Sequence, residues 1–374
     1  MNLLALRNLF HDKIRFVVTL TGIVFAVLLI AVQLGLFIGF TGTTSNVIDH
    51  ANADLWITSK GVKNFDAGSP ISERKLYPVL ATPGVAQAEN EIVCEANWKR
   101  PDGVSEYVEV VGFNPAKGIG RPWNLVAGSM QELASANSVV IDESYREKLG
   151  VSHPGQLVEI NGHRARVVGF TRGIRSFTTQ PFVFTSFKNA LNYASLTADQ
   201  TVYILVKAAA GVDLQELKCR LAGRLSGVSV FTTAEFRNRT RFYWMFTTGA
   251  GIALIVAALM GLIVGIVVVA QTIYATTLDH LREIGTLRAM GASNRYLYRV
   301  ILGQAAISAM IGYVLGMAIS LVVSAVGRHC GAIIALPWEL AAVMLVVTLL
   351  MCSSAAIVSI HRVTRLDPAM VFRN

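Results

Sequence analysis

Four long apolar stretches are distributed unevenly along the chain. The first covers residues 16–40, and the other three lie in the last third, at 242–270, 300–326 and 336–360. Each is long enough to cross a hydrocarbon core of about 30 Å as a helix of roughly 20 residues. About 200 polar, turn-rich residues separate the first stretch from the second. The pattern predicts an α-helical membrane protein with four transmembrane helices (1+3) and a large extracytoplasmic domain between the first and second helices.

The first apolar stretch is predicted to be a retained helix rather than a cleaved signal peptide. Its run of about 25 residues exceeds the 7–15 residues typical of a secretory signal. Aromatic residues flank its outer end and the start of the second stretch, as is typical of anchors at a membrane interface. We therefore interpret them as anchors rather than ligand contacts: Phe37, Phe40, Phe242, Tyr243 and Trp244.

The polar region between the first two stretches alternates strand-like and helix-like segments, which predicts an α+β domain at 41–241. Residues 107–113 show the alternation expected of a half-exposed strand, and Asn161-Gly162 predicts a hairpin turn. The other predicted strands are 53–58, 138–141, 157–160, 164–170, 202–207 and 228–231. The predicted helices are 72–80 with Ser72 as N-cap, 143–149 and 213–225.

Charge determines the predicted orientation of the spans. Hydrophobic residues make up 53% of the chain and charged residues only 15%, with a net charge of +9. Ten of the Lys and Arg residues, against four acidic residues, fall in three short segments, 1–15, 271–299 and 361–374. The positive-inside rule predicts that these segments are cytoplasmic. The 41–241 domain and the short loop 327–335 then face the opposite side of the membrane.

The same charge distribution argues against a nucleic-acid-binding protein. Binding to DNA or RNA needs basic residues clustered on one folded face. Here most of the excess positive charge flanks the membrane spans, and the domain between them is close to neutral. We predict no nucleic-acid partner.

No motif of a catalytic or metal site is present in the sequence. The seven His residues are scattered without metal-ligand spacing, and no Ser lies in a G-x-S-x-G setting. A Gly-Lys dipeptide is absent, so the chain has no Walker A loop for ATP. A disulfide between Cys94 and Cys219 is possible in an oxidising compartment, but sequence alone does not place them within bridging distance. The chain is predicted not to be an enzyme by itself.

The segment between the second and third spans has the pattern of a short amphipathic helix. Leu278, Leu281, Ile284 and Leu287 recur every three residues, and charged residues lie off this stripe. Gly291 stands where such a helix would end. The pattern alone fits two interpretations equally, a helix that docks into a groove of a soluble partner and a helix that lies on lipid headgroups.

Two small-residue steps mark where the predicted spans approach other helices. Gly261 and Gly265 form one G-x-x-x-G step, and Gly312 and Gly316 form another. Such steps allow helix backbones to approach closely. We predict tight helix packing at both steps, and they give weak evidence for a contact between two copies of the chain.

A family resemblance favours the docking interpretation. The run Leu281-Arg-Glu-Ile-Gly-Thr-Leu-Arg-Ala-Met-Gly-Ala-Ser293 closely resembles the hinge of the FtsX/MacB-type ABC transporter permeases. The ends Ala5-Leu-Arg-Asn-Leu-Phe-His-Asp-Lys-Ile-Arg15 and Thr364-Arg-Leu-Asp-Pro-Ala-Met-Val-Phe372 resemble those of the same family, as does the order of spans. Segment 271–280 and the end of the chain are most similar to the DevC-type permeases.

The resemblance implies the permease subunit of a MacB-fold (type VII) exporter. Such permeases act as dimers bound to a pair of cytosolic ATPase subunits, which bind the ATP and Mg, so no cofactor is expected in this chain. The implied lobes are a porter at 45–115 and 191–240 and an inserted lobe at 116–190. The implied ATPase-coupling residues are Leu278, Asp279, Leu281, Arg282, Glu283, Ile284, Gly285, Leu287, Arg288, Met290 and Gly291.

The resemblance also suggests partners and a location, the bacterial inner membrane with both termini cytoplasmic. The expected partners are a periplasmic adaptor, a TolC-like outer-membrane channel and membrane lipids. The expected cargo is hydrophobic, lipid-like or a peptide. The near-absence of charge in the spans argues against an ion-coupled transporter. The alternatives are an FtsX-like regulator of a periplasmic cell-wall hydrolase and adaptor-free transport of haem or lipoproteins.

Overall fold

The chain divides into two compact units in a computed structural model that describes residues 13–178, 180–279, 294–329 and 332–364. One unit, the helical unit, comprises Met1–Gly39 and Gly251–Asn374, and the other, the α/β domain, comprises Phe40–Ala250. The helices are α1 (Lys13–Thr44), α2 (Asn46–His50), α3 (Leu76–Leu80), α4 (Phe187–Tyr193), α5 (Leu214–Arg224), α6 (Thr233–Phe242), α7 (Ala250–Asp279), α8 (Asn294–His329) and α9 (Trp338–Thr364).

The strands belong to the α/β domain. They are β1 (Leu55–Ser59), β2 (Ile71–Ser72), β3 (Val85–Lys99), β4 (Ser105–Phe113), β5 (Leu125–Gly128), β6 (Ser138–Asp142), β7 (Leu157–Ile160), β8 (His163–Thr171), β9 (Phe182–Ser186), β10 (Gln200–Thr201), β11 (Tyr203–Ala208) and β12 (Val228–Thr232).

Helices α1, α7, α8 and α9 contain the four candidate membrane spans. By length and composition these are Phe16–Thr44, Ala250–Ala275, Ile301–Gly327 and Trp338–Ser359. The predicted fold class, four transmembrane helices with an α/β domain between the first and second, is confirmed. The second span begins later than predicted, because Tyr243–Thr247 is a π-helical turn and Gly249, with φ of 80°, separates this turn from α7.

The helical unit packs around α1. Its most buried positions include Ile23, Ala26 and Val27 of that helix. A Cβ added to Gly316 would lie 2.7 Å from the Val27 side chain, and one added to Gly312 would overlap Ile23. Gly261 and Gly265 of α7 face the same helix, since their added Cβ atoms would lie 2.5 Å from Leu29 and 2.7 Å from Ala26. Both G-x-x-x-G steps therefore form close contacts within one chain.

The α/β domain is built on one extended sheet in which β3 has two roles. The strand order is β12-β1-β11-β3-β4-β9-β6-β8-β5, and β7 pairs with both β3 and β8. The first half of β3 pairs with β11 and belongs to the open part of the sheet, β12-β1-β11-β3. Its second half pairs with β4 and β7. One 15-residue strand thus connects two parts of the domain.

The second half of β3 closes a barrel. The pairings β3–β4, β4–β9, β9–β6, β6–β8, β8–β7 and β7–β3 form a closed ring of six strands, which we call the barrel. Runs of β-branched and aromatic residues form these strands and fill the interior, as the burial of Val140, Val167 and Val183 shows. The predicted inserted lobe 116–190 supplies β5 to β9, but its barrel closes only with β3 and β4, which lie in the predicted porter segment.

The open part of the sheet is covered by helices on one face. Leu217 and Leu221 of α5 pack against Ile57 and Ile204 of the central strands, together with Val79 of α3. Asp213 caps α5 by accepting a hydrogen bond from the Gln215 N–H at 2.9 Å. This layer is the core on that face of the open sheet, and Trp56 packs with Phe236 of α6 on the other face.

Several local predictions need correction. Ser72 makes no side-chain cap, and the predicted helix there is a 3₁₀ turn followed by the five-residue α3. The predicted helix 143–149 is only a 3₁₀ turn, Glu143–Tyr145. The long strand β3 was missed because polar residues interrupt its apolar pattern. The predicted alternation of buried and exposed side chains in β4 is wrong, because residues 108–113 are all buried.

The glycine contacts predict a contrast between two alanine substitutions on α8. Alanine is the better helix former by about 1 kcal/mol, yet Gly316→Ala places a methyl group against Val27 and should push α8 away from α1. Gly303 has no atom within 4 Å of an added Cβ. We expect Gly316→Ala to lower the Tm of the detergent-purified protein and Gly303→Ala to leave it unchanged or raise it. Equal Tm values for the two variants would contradict the packing.

Candidate functional site at the neck of the α/β domain

The chain enters and leaves the α/β domain through two adjacent segments. Residues 40–50 enter it, as the end of α1 and then α2, and residues 233–250 leave it, as α6 and the π-helical turn. We call these two segments the neck. Helix α6 begins with a capping box in which Thr232 and Glu235 each bond the other's backbone N–H. Its start is therefore fixed directly after β12.

A polar cluster joins the two neck segments. Asp49 of the entering segment accepts hydrogen bonds from Arg237 at 3.0 Å and from Arg241 at 3.2 Å, both on α6. Arg241 Nε also donates to Ser45 Oγ at 2.8 Å, and Ser45 Oγ donates to Asp49 at 2.8 Å. Charge-assisted bonds of this kind are among the stronger polar contacts in proteins. The cluster holds the entering and leaving segments together.

Trp244 fixes the π-helical turn to the body of the domain. Its indole Nε1 donates to Asp66 Oδ2 at 2.8 Å. The Phe177 ring lies edge-on to Trp244 at 4.5 Å between centroids, and edge-on to Phe40 at 4.8 Å. Trp244 was expected to be a membrane-interface anchor, whereas the structure shows it bonded to a carboxylate and packed on an aromatic ring within the domain.

Asp66 also belongs to a carboxyl pair. It is hydrogen-bonded to the buried side chain of Glu109 on β4. Burial raises the pKa of both groups, and the negative charge of Asp66 raises the pKa of Glu109 further. Two carboxyl groups can share a hydrogen bond only when one carries a proton. We assign that proton to Glu109, which donates to Asp66 while Trp244 donates to Asp66 from the other side.

A third acidic side chain, Glu91 on β3, is buried on the same face of the sheet. Neither of its carboxyl oxygens has a hydrogen-bond partner among the described residues, and burial raises its pKa well above the usual range. It lies opposite Tyr203 on β11, whose hydroxyl donates to the Phe65 carbonyl at 2.5 Å. Burial, followed by the negative charge of Asp66, raises the pKa of Tyr203. The sheet beneath the neck therefore has an unusually acidic interior.

Most of the predicted coupling residues lie outside the described part of the chain. These are Leu281, Arg282, Glu283, Ile284, Gly285, Leu287, Arg288, Met290 and Gly291. Leu278 and Asp279 are the last two residues of α7. The role of all eleven residues in coupling stays a prediction.

The structure also shows where the residues considered for metal or disulfide chemistry lie. His153 and His163 are exposed on the barrel. No three His, Cys, Asp or Glu residues within the described ranges could together hold a metal ion. Cys94 on β3 and Cys219 on α5 are both free thiols, and burial raises the pKa of Cys94 to about 12.

The sequence analysis named Phe40, Phe242, Tyr243 and Trp244 of the neck only as membrane-interface anchors, and it missed the polar residues that join the two neck segments. A signal was present for Glu109, since it interrupts a run that is otherwise aromatic or β-branched. The partners Asp66, Trp244 and Phe177 lie far apart along the chain. Nothing in the sequence indicates that they meet.

Two family models together match most of the chain. The MacB-like periplasmic core domain matches residues 16–223, and the FtsX-like permease C-terminal region matches residues 238–368. These matches and the fold define a class of protein, a multi-pass membrane protein with an α/β domain between its first and second spans. The chain belongs to the FtsX/MacB-type ABC transporter permeases, a family whose members are permease subunits that work with a partner ATPase.

Individual relatives are distant. The chain is 23% identical to an uncharacterized ABC transporter permease of Mycobacterium tuberculosis, over 98% of both chains. It is 22% identical to another from Mycobacterium bovis, also over 98% of both. Among solved structures, the periplasmic region of MacB from Actinobacillus actinomycetemcomitans is 12% identical with a TM-score of 0.40, covering 52% of this chain and 94% of that one. The extracellular domain of the transporter YknZ is 13% identical with a TM-score of 0.37, covering 48% and 99%.

The proton on Glu109 predicts a pH-dependent stability. An acid whose pKa is raised on folding holds its proton more tightly in the folded state, so the folded state loses relative stability as pH rises from the unfolded pKa of about 4 towards the folded one. Glu109→Gln keeps a hydrogen-bond donor to Asp66 and removes the titration. We expect a shallower fall of Tm with pH, and a Tm about 3 °C above that of the unsubstituted protein at about pH 8.

Scanning fluorimetry of the full-length protein in detergent, between about pH 5 and about pH 8, measures this effect. Glu132→Gln is the matched control, because it makes the same change at an exposed position. A Glu109→Gln profile as steep as that of the unsubstituted protein would contradict the assignment of the proton.

Proposed function

We propose that the chain is the permease subunit of an ATP-driven MacB-fold exporter that transmits closure of its ATPase to the α/β domain. The observation that carries this proposal is the neck. Asp49 joins the entering segment to Arg237 and Arg241 of the leaving segment, and Trp244 joins the latter to Asp66. Because the two neck segments are bonded to each other and to the rest of the domain, a displacement of the neck would move the whole domain.

The proposed assembly contains two copies of this chain and two cytosolic ATPase subunits. ATP and Mg bind to the ATPase, and the 271–299 segment couples it to the permease. Both termini are cytoplasmic, in accordance with the Lys and Arg residues in the end segments. The α/β domain is periplasmic in this proposal, where an adaptor and a TolC-like outer-membrane channel complete the export route.

The proposed cargo is hydrophobic, a lipid-like molecule or a peptide. The helices of the helical unit support a mechanical role, because the four spans contain few ionisable groups that could carry an ion or proton. Cargo therefore need not pass between them. Movement of the α/β domain is proposed to drive the cargo outwards.

A pull-down from the native host tests the assembly. We expect the tagged chain, solubilised in mild detergent, to carry with it an ATPase that has a Walker A loop and a periplasmic adaptor, both identified by mass spectrometry. An ATPase together with a cell-wall hydrolase would instead support FtsX-like regulation. Recovery of the chain without any ATPase would contradict the proposal.

The coupling segment predicts a loss of the ATPase on substitution. Glu283→Arg combined with Leu287→Asp reverses a charge and removes an apolar residue from the predicted docking helix, so we expect at least a tenfold loss of co-purified ATPase, about 1.4 kcal/mol of binding. Membrane insertion should be unchanged. Glu147→Arg with Val104→Asp is the matched control, because both positions are exposed in the α/β domain. Normal ATPase recovery with the 283/287 variant would exclude docking at this helix.

A further inference from the structure

The connection between β8 and β9 leaves the barrel and reaches the neck. On the barrel side its backbone is held by buried groups. The Ile174 N–H donates to Asp142 Oδ2 at 2.8 Å, and the Ser176 N–H donates to the Tyr145 hydroxyl at 3.1 Å. Ile174 and Ser176 are themselves buried. The backbone that leads to residue 177 is therefore fixed to the barrel.

Phe177 is the point at which this connection meets the neck. Its ring contacts Phe40 of the entering segment and Trp244 of the leaving segment, at 4.8 Å and 4.5 Å between centroids. Phe177 is only partly buried and does not belong to the group of buried residues that fills the domain core. It is a barrel residue that contacts both neck segments at once.

The barrel has a second attachment, to the open sheet. Strands β3 and β4 contribute to the ring, and β3 continues into the open sheet, where it pairs with β11. The barrel is thus joined to the open sheet at the ladder of β3, and Phe177 joins it to both neck segments. Besides Phe177 there are two further contacts: Trp123, which packs on Phe184 of β9, stacks on His50 of the entering segment at 4.0 Å, and Glu109 of β4 is hydrogen-bonded to Asp66. If Phe177 is displaced while the β3 ladder stays in place, the barrel rotates about β3.

We propose that Phe177 is a positioning residue that transmits displacement of the neck to the barrel, so that the barrel turns about β3 and β4 relative to the open sheet. The inference rests on the proposed function, since it requires ATP-driven movement of the neck. The edge-on contacts make this transmission direct. The ring is seated between Phe40 and Trp244, and Asp66 holds Trp244 in place. Removal of the ring removes the contact through which the barrel touches both neck segments at once.

Distances between two copies of the chain in the complete complex test the inference. The chain, with its ATPase in lipid nanodiscs, carries a spin label either at Cys219 of the open sheet's helix α5 or at Glu132→Cys on the barrel, with the other cysteines replaced. Both positions are exposed. Electron spin resonance compares the nucleotide-free state with the ATP- and vanadate-trapped state, and ATP hydrolysis is recorded in parallel.

We expect trapping to change both distances in the protein with Phe177. In Phe177→Ala the change at Cys219 and the rate of ATP hydrolysis should persist, while the change at Glu132→Cys should become smaller. Phe177→Trp should restore it, since a larger aromatic ring still reaches both neck segments. Phe242→Ala is the matched control, because Phe242 is an exposed aromatic residue of α6 that packs on Phe246. If Phe177→Ala is not monodisperse, Phe177→Leu replaces it with the same expected direction.

Two contrary outcomes can be told apart. A barrel displacement of full size in both Phe177→Ala and Phe177→Leu would overturn the role of Phe177 and leave the proposed function standing. An absence of any ATP-linked change at Cys219 and Glu132→Cys in the protein with Phe177 would overturn the proposed function, and this inference with it.

Discussion

The α/β domain is connected to the rest of the chain by two segments, at Phe40 and at Ala250, and the contacts between these segments hold its ends together. Covalent connection alone would leave the entering and leaving segments free to move relative to each other. The Asp49 cluster with Arg237 and Arg241 removes that freedom by bonding the two segments to each other. It is the interaction on which a transmitting role depends.

The acidic groups beneath the neck are a second unusual feature of the domain. Burying Asp66, Glu91 and Glu109 costs free energy, since charged carboxylates lose their hydration and protonated ones need hydrogen-bond partners. Asp66 obtains partners from Trp244 and Glu109, whereas Glu91 has none within the described residues. Deviations from a well-satisfied core tend to occur where a protein has a function. The pair Asp66–Glu109 is directly bonded to the neck through Trp244.

The construction of the sheet sets how a displacement spreads. A single strand, β3, runs from the open sheet into the barrel, so the two parts share a rigid edge and cannot separate. In the helical unit one helix likewise contacts two others, because α1 packs against the small residues of both α7 and α8. Both β3 and α1 thus contact two or more other elements, and substitutions on them should affect several contacts together.

The sequence by itself determined the number and order of the spans, the class of the inserted domain and the family. These follow from local signals: an apolar run has to be long enough to cross a bilayer, and the hinge and end motifs are continuous in sequence. Even the glycine steps were visible, although only packing shows that they face α1. Single strands such as β6 and β7 were also predicted correctly from their β-branched runs.

Tertiary structure alone decided the barrel, the buried carboxyls and the neck. The ring closes through pairings between strands distant along the chain, and the burial of Glu109 depends on what covers it rather than on its neighbours in β4. Phe40, Asp66, Phe177 and Trp244 meet although more than 200 residues separate the first from the last. Periodicity reports which face of an element is apolar, but it contains no information on which distant element covers that face, and the candidate site is made entirely of such contacts.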